Sequence, residues 1–120
     1  QYNIKCYPID KQQIEINNNW ILRGQCDGIT SKGHILEIKC RMKDIDSNMS
    51  NNDYAQVQAY LQLYKIDYCM YVQCKYNDDS LKVHYINRDH KYWNNVVLPE
   101  VERFVKLYEN FNTLLTELDT

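Results

Sequence analysis

Apolar and polar residues alternate through much of the first half of the chain, the period-two pattern of strands with one face against a core. The alternation predicts strands over residues 3–7 and 9–17, the second with Ile14 and Ile16 on one face. A turn at Asn17-Asn18-Asn19 leads into a third strand over 20–26 that runs on into Asp27-Gly28, and an Ile-Thr-Ser-Lys-Gly turn leads to a fourth over 34–40. The period then changes. Tyr54, Val57, Leu61 and Tyr64 recur at three-four spacing, predicting a helix over 53–65 capped by Asn52 or Asp53. Strands over 67–76 and 81–87 follow, joined by the turn residues Asn77-Asp78-Asp79-Ser80. A helix over 91–118 is predicted to close the fold with Val97, Val101, Phe104, Val105, Leu107 and Tyr108 as its core face, kinked at Pro99. The order β-β-β-β-α-β-β-α describes an α/β (α+β) fold, a mixed sheet flanked by helices. A chain of 120 residues is long enough to bury one core, so a single domain over 1–120 is expected.

Chemistry concentrates on the predicted third and fourth strands. Alternation puts Glu37 and Lys39 on one face and Leu36 and Ile38 on the other, and a hairpin would bring Asp27 beside Glu37. Two carboxylates at one sheet edge, with open positions left for water and phosphate, suit a hard divalent cation such as magnesium. Gln56 lies off the apolar stripe of the first helix and is free to face that edge. An acid-x-lysine on a strand is by itself common, and a solvated sheet face would show the same alternation of charge.

Cys26-Asp27-Gly28, Leu36-Glu37-Ile38-Lys39-Cys40, Tyr54-Ala55-Gln56-Val57-Gln58 and Asn87-Arg88-Asp89-His90-Lys91-Tyr92 follow one another at the distances seen in a known family. Together they resemble the PD-(D/E)XK nuclease superfamily, and within it the lambda-exonuclease and YqaJ-like viral recombinase branch. The resemblance runs from about Trp20 to Leu107. It implies a restriction-endonuclease-like core in which Asp27, Glu37 and the backbone carbonyl of Ile38 hold Mg2+ (or Mn2+). Lys39 and Gln56 would join Asp27 and Glu37 as catalytic residues. Cys26 stands where the family usually has proline, a position that shapes the backbone and supplies no ligand.

The net charge of −2 argues against a general nucleic-acid coat, but its distribution matters more than its sum. Arg23, Lys32, Lys39, Arg41 and Lys43 lie near the proposed site, whereas the stretch after Pro99 is acidic. Arg23, Lys32, Arg41 and Lys43 are therefore the candidate DNA-backbone contacts. Five cysteines without a C-x-x-C pair make a zinc ribbon a poor reading and suit reduced thiols in an intracellular protein, in host cytoplasm or nucleus if the source is viral. An abundance of Asn, Lys, Ile and Tyr, all with AT-rich codons, fits such a source. The 11 tyrosines fall mostly on strand and helix stripes and read as packing rather than base stacking. No apolar run approaches membrane-spanning length.

By resemblance, the expected activity is 5′-to-3′ exonucleolytic digestion of double-stranded DNA in recombination or repair. A single-strand annealing protein is the implied partner, and a homo-oligomeric ring of three subunits the implied assembly. Endonuclease action and a non-catalytic DNA-binding or assembly module are the alternatives. The family's N-terminal helices, one with a further acidic ligand and nearby basic residues for a 5′ phosphate, have no counterpart here. The chain is thus expected to be the C-terminal part of a larger nuclease domain or a reduced relative. Either way, apolar surface around Ile4, Ile14 and Trp20 should be left bare.

Overall fold

The computed structural model describes residues 5–42, 49–76 and 79–118. It is a mixed α+β fold with a five-stranded sheet and a separate two-stranded one. The main sheet comprises β1 (Cys6–Tyr7), β4 (Gly28–Thr30), β5 (Ile35–Arg41), β6 (Tyr68–Lys75) and β7 (Leu81–Asn87), side by side in that order. The small sheet pairs β2 (Gln12–Asn17) with β3 (Trp20–Gly24). Neighbours in the main sheet are antiparallel except β5 and β6, which run parallel with Glu37 beside Tyr71 and Lys39 beside Gln73. A parallel pair needs a long crossover, and helix α1 (Asn51–Tyr64) provides it.

The predicted third strand is in fact two. Trp20–Gly24 stays in the small sheet, while Gly28–Thr30 enters the main sheet as β4. The order is therefore five strands before α1 instead of four. Contacts remote in sequence hold the corner between the sheets. The Tyr64 hydroxyl at the end of α1 donates to the Asp10 carbonyl at 2.6 Å and lies 3.4 Å from the Cys26 amide. Gln25 Nε2 donates to the Ile9 carbonyl at 2.9 Å. Gly28 is required at the entry to β4, because a Cβ there would sit 2.8 Å from the Tyr7 carbonyl oxygen of β1.

Helix α1 starts earlier than the sequence suggests. Ser50 is its N-cap and accepts from the Asp53 amide at 3.1 Å, so neither Asn52 nor Asp53 caps it. Lys65, left-handed at φ 56°, ends it. Val57 and Leu61 are fully buried with Cys26, Ile35, Cys69, Tyr71 and Ile86, forming the core on one face of the sheet. Each such aliphatic side chain contributes about 1.5–3 kcal/mol. On its other flank, α1 meets the β2–β3 hairpin where Gly24 faces Tyr60 and Leu63. The opposite sheet face carries a smaller apolar cluster of Leu36, Met70 and Val72, with Val83 packed beside them.

The C-terminal helix begins as α2 (His90–Tyr92), loosens through a π-helical stretch at Trp93–Val97, and continues as α3 (Leu98–Leu118). The Leu98 amide bonds back to the Trp93 carbonyl, five residues away. Pro99, with no N–H to give, is accommodated by this wider turn. The predicted core face of this helix forms only in part: Val105 is buried and Val97 and Val101 half-buried, whereas Phe104, Leu107 and Tyr108 are exposed. The helix projects beyond the sheet, so the molecule extends 61 × 31 × 26 Å. Ile14 and Trp20, expected to be bare, are half-buried, with Trp20 edge-on to Tyr108 at 5.3 Å. Ile4 lies outside the described residues.

Candidate active site

Asp27 and Glu37 meet where β5 outruns its short neighbour β4. Pairing between the two ends at Gly28 opposite Leu36, so the next backbone groups of β5 look for other partners. The Ile38 amide donates to Asp27 Oδ2 at 2.7 Å, and the Asp27 amide donates to Glu37 Oε1 at 3.2 Å. This reciprocal clasp fixes both carboxylates. A strand residue presents its N–H and C=O to the same edge, so the Ile38 carbonyl leaves β5 on the side where Asp27 sits. Lys39 Nζ lies 3.6 Å from Glu37 Oε2.

Glu37 is only 3% exposed, although Asp27 beside it is open to solvent. Burial, first, and then contact with the Asp27 carboxyl push the Glu37 carboxyl up from its ordinary 4.5 to about 7; Lys39 offsets this only in part. Two acids at one edge with incomplete compensation suit a cation. The donor set fits magnesium in kind: two carboxylates and a carbonyl, all oxygen. No group of three or more His, Cys, Asp or Glu side chains arranged to hold a metal ion exists among the described residues, so water and substrate oxygens would have to complete a cation's shell.

Gln56, on α1, is half-buried and its Nε2 donates to the Tyr60 hydroxyl at 3.2 Å. Tyr60 is a neighbour of the carboxylates that the sequence reading missed. Burial raises its phenol, and the charges of Glu37 and then Asp27 add to the shift. The available signal was its position one turn after Gln56 on the same helix face. Gln58 plays a structural part instead. Wholly buried, it donates to the Asn87 carbonyl and accepts from the Asp89 amide, both at 2.9 Å.

The basic candidates that are described sit on different elements. Arg23 is on the small sheet and holds Gln13 Oε1 at 2.7 Å, while Lys32 is exposed in the β4–β5 turn. Arg41 binds Asp53 and, at 3.2 Å, the Tyr71 hydroxyl, which itself donates to Asp53 at 2.7 Å. Burial pushes the Asp53 carboxyl up, but the bonds from Tyr71, Arg41 and Ser50 outweigh it and hold the group below its ordinary range. Arg41 thus ties the end of β5 to the first turn of α1. Lys43 lies outside the described residues. The Asn87–Tyr92 segment is a structural junction: Asp89 caps α2 through the Tyr92 amide at 2.9 Å, and Arg88 binds Gln62 at 2.8 Å. A 470 Å³ cleft lined by Tyr54, Arg88, Asp89 and His90 contains none of the four predicted catalytic residues.

No family model matches the chain, and no curated protein does. Among solved structures it is similar to the crystal structure of SSO0001, with a TM-score of 0.62 and 22% identity. That match covers 83% of this chain and 50% of the other, so the chain spans about half the length of that structure. A likeness at this identity speaks for the fold alone. Among the described residues, no helix is long and apolar enough to cross a membrane.

Proposed function

We propose that the chain carries the catalytic core of a magnesium-dependent deoxyribonuclease of the PD-(D/E)XK type, acting on double-stranded DNA as a 5′-to-3′ exonuclease. The observation that carries this reading is the Asp27–Glu37 clasp with Lys39 beside it, at the open end of β5. Asp27, Glu37 and the Ile38 carbonyl are the residues to hold the cation, and Mn2+ would satisfy the same oxygens. A bound divalent ion lowers the pKa of a coordinated water and offsets charge gathering on the scissile phosphate.

The chain's own residues supply the rest. The Ile38 and Asp27 amides preorganise the two carboxylates, so neither has to be gathered from solvent when substrate arrives. Lys39, half-exposed and adjacent to Glu37, is placed to orient the attacking water or to neutralise a phosphate oxygen. Gln56 is a hydrogen-bonding residue for that water, with Tyr60 fixing its amide. Lys32, exposed in the turn of the same hairpin, is the remaining candidate phosphate contact among the described residues. Arg41 serves a positioning role through Asp53.

The test is cleavage of end-labelled linear duplex DNA with Mg2+, with Mn2+ and with chelator. Metal-dependent release of nucleotides from 5′ ends, lost in Asp27→Asn and Glu37→Gln, supports the proposal. Internal cuts with the same dependence would favour an endonuclease. Binding of DNA with no cleavage under any condition would leave a non-catalytic module and remove the enzyme reading.

A further inference from the structure

The long exposed stripe of α3 repeats in sevens. Phe104, Leu107, Phe111, Leu114 and Leu118 occupy alternating three- and four-residue steps, and each is between 51% and 73% exposed. A surface helix facing only water has no reason to keep five large apolar residues in one line. This spacing is that of the inner seam of a coiled coil. Tyr108 and Leu115 widen it on one side, and both are also exposed. We propose that this face is the interface of a homodimer in which α3 of one copy lies antiparallel on α3 of a second.

Charge selects the partner and its direction. With Phe104 and Phe111 at the first seam position, Arg103, Asn110 and Glu117 fall on the flank preceding it. In an antiparallel pair these flanks face each other, so Arg103 of each copy meets Glu117 of the other and Asn110 meets its own symmetry mate. A parallel pair would put Arg103 opposite Tyr108 and form neither contact. Arg103 already holds Glu100 at 2.9 Å on its own helix, leaving further guanidinium donors for a second carboxylate.

The same register supplies matching layers. Phe104 faces Leu114, and Leu107 faces Phe111, each twice by symmetry. It also places the other copy's Leu118 opposite Glu100, at the mouth of a 430 Å³ apolar groove formed by Leu22, Val96, Val97, Val101 and Phe104. The seam thus runs into a depression that its own far end is positioned to fill. At roughly 200 Å² for a fully exposed large side chain, the stripe offers about 700 Å² of apolar surface per copy. Two copies would together remove about 1,400 Å² from water, within the range of stable interfaces.

The test is sedimentation equilibrium of the full 120-residue chain, with circular dichroism confirming each variant's fold. The wild type is expected to be a dimer. Phe111→Asp, at an exposed position, should raise the dimer dissociation constant at least about thirtyfold. Arg103→Glu and Glu117→Arg should each weaken the dimer by about tenfold, and the double exchange should return it to within about threefold of wild type. A monomer overturns the proposal, including one whose stripe binds anionic phospholipid vesicles or another protein. So does a trimer, a dimer indifferent to Phe111→Asp, or a double exchange that fails to restore association.

Discussion

Glu37 should make the metal-free protein less stable as pH rises, and Glu37→Gln should remove that dependence. The carboxyl sits at about 7 in the folded chain against an ordinary 4.5, because burial and the neighbouring Asp27 disfavour its charge. Below about pH 4.5 the group is protonated in both states and carries no penalty. Between about 4.5 and 7 the unfolded chain releases its proton while the folded chain keeps it, so stability falls with rising pH. Above 7 the penalty is complete, at about 3 kcal/mol for a shift of this size. Glutamine retains an oxygen to accept the Asp27 amide and carries no charge to desolvate. The difference between variant and wild type should therefore be near zero at about pH 4.5 and reach about 3 kcal/mol in the variant's favour at about pH 8. Urea unfolding followed by the fluorescence of Trp20 and Trp93, in chelator at several pH values, measures it. A variant no more stable than wild type at the alkaline end would mean that Glu37 is adequately solvated or paired, and the electrostatic case for a cation there would go with it.

Other substitutions separate chemistry from architecture. Lys39→Ala should lower kcat and kcat/KM for duplex cleavage by similar factors, and a change confined to KM would return Lys39 to the role of a surface contact. Gln58→Ala leaves the Asn87 carbonyl and the Asp89 amide without their partner and should cost about 2–4 kcal/mol in urea unfolding; a loss below roughly 0.5 kcal/mol would show that water replaces it. Ser50→Ala should cost about 1 kcal/mol by the same assay, whereas Asn52→Ala should cost little, in keeping with which residue caps α1. Arg41→Ala should destabilise the fold through Asp53 while leaving the salt dependence of DNA binding nearly unchanged, and a flattened salt dependence would restore Arg41 to the DNA surface.

Much of the architecture was legible because it is locally encoded. Alternation located β5, β6 and β7, and the three-four spacing of Val57 and Leu61 located α1 and the face it buries. The misplaced features depend on distant partners. Nothing between Trp20 and Gly28 signals a change of sheet, because the corner is held by Tyr64 from the far end of α1. Arg41 looks like a free cation until Asp53 and Tyr71 are beside it. The stripe on α3 announced that it needs cover, and a periodicity cannot say which surface supplies it. At the site, the Asp27–Glu37 approach followed from alternation and a hairpin, whereas the burial of Glu37 depends on residues remote in sequence, Tyr60 of α1 among its neighbours. Tyr60 went unnoticed because a tyrosine among 11 carries little information by type.

The π-helical stretch at Trp93–Val97 works as a phase setter. Each residue advances an α-helix by about 100°, and the wider turn absorbs one such step, so everything downstream stands where an uninterrupted α-helix one residue shorter would put it. Upstream, Tyr92 is locked edge-on to Tyr54 of α1 at 4.8 Å; downstream, Tyr108 lies against Trp20. Deleting Asn95, an exposed residue, would let the stretch relax to ordinary α-helix with Tyr108 still against Trp20, whereas inserting one more residue there would swing α3 by about a quarter turn. The bearing of a 21-residue helix is therefore held by chain length within one turn, and a single-residue insertion there should be far more disruptive than a single-residue deletion or substitutions at the same exposed positions.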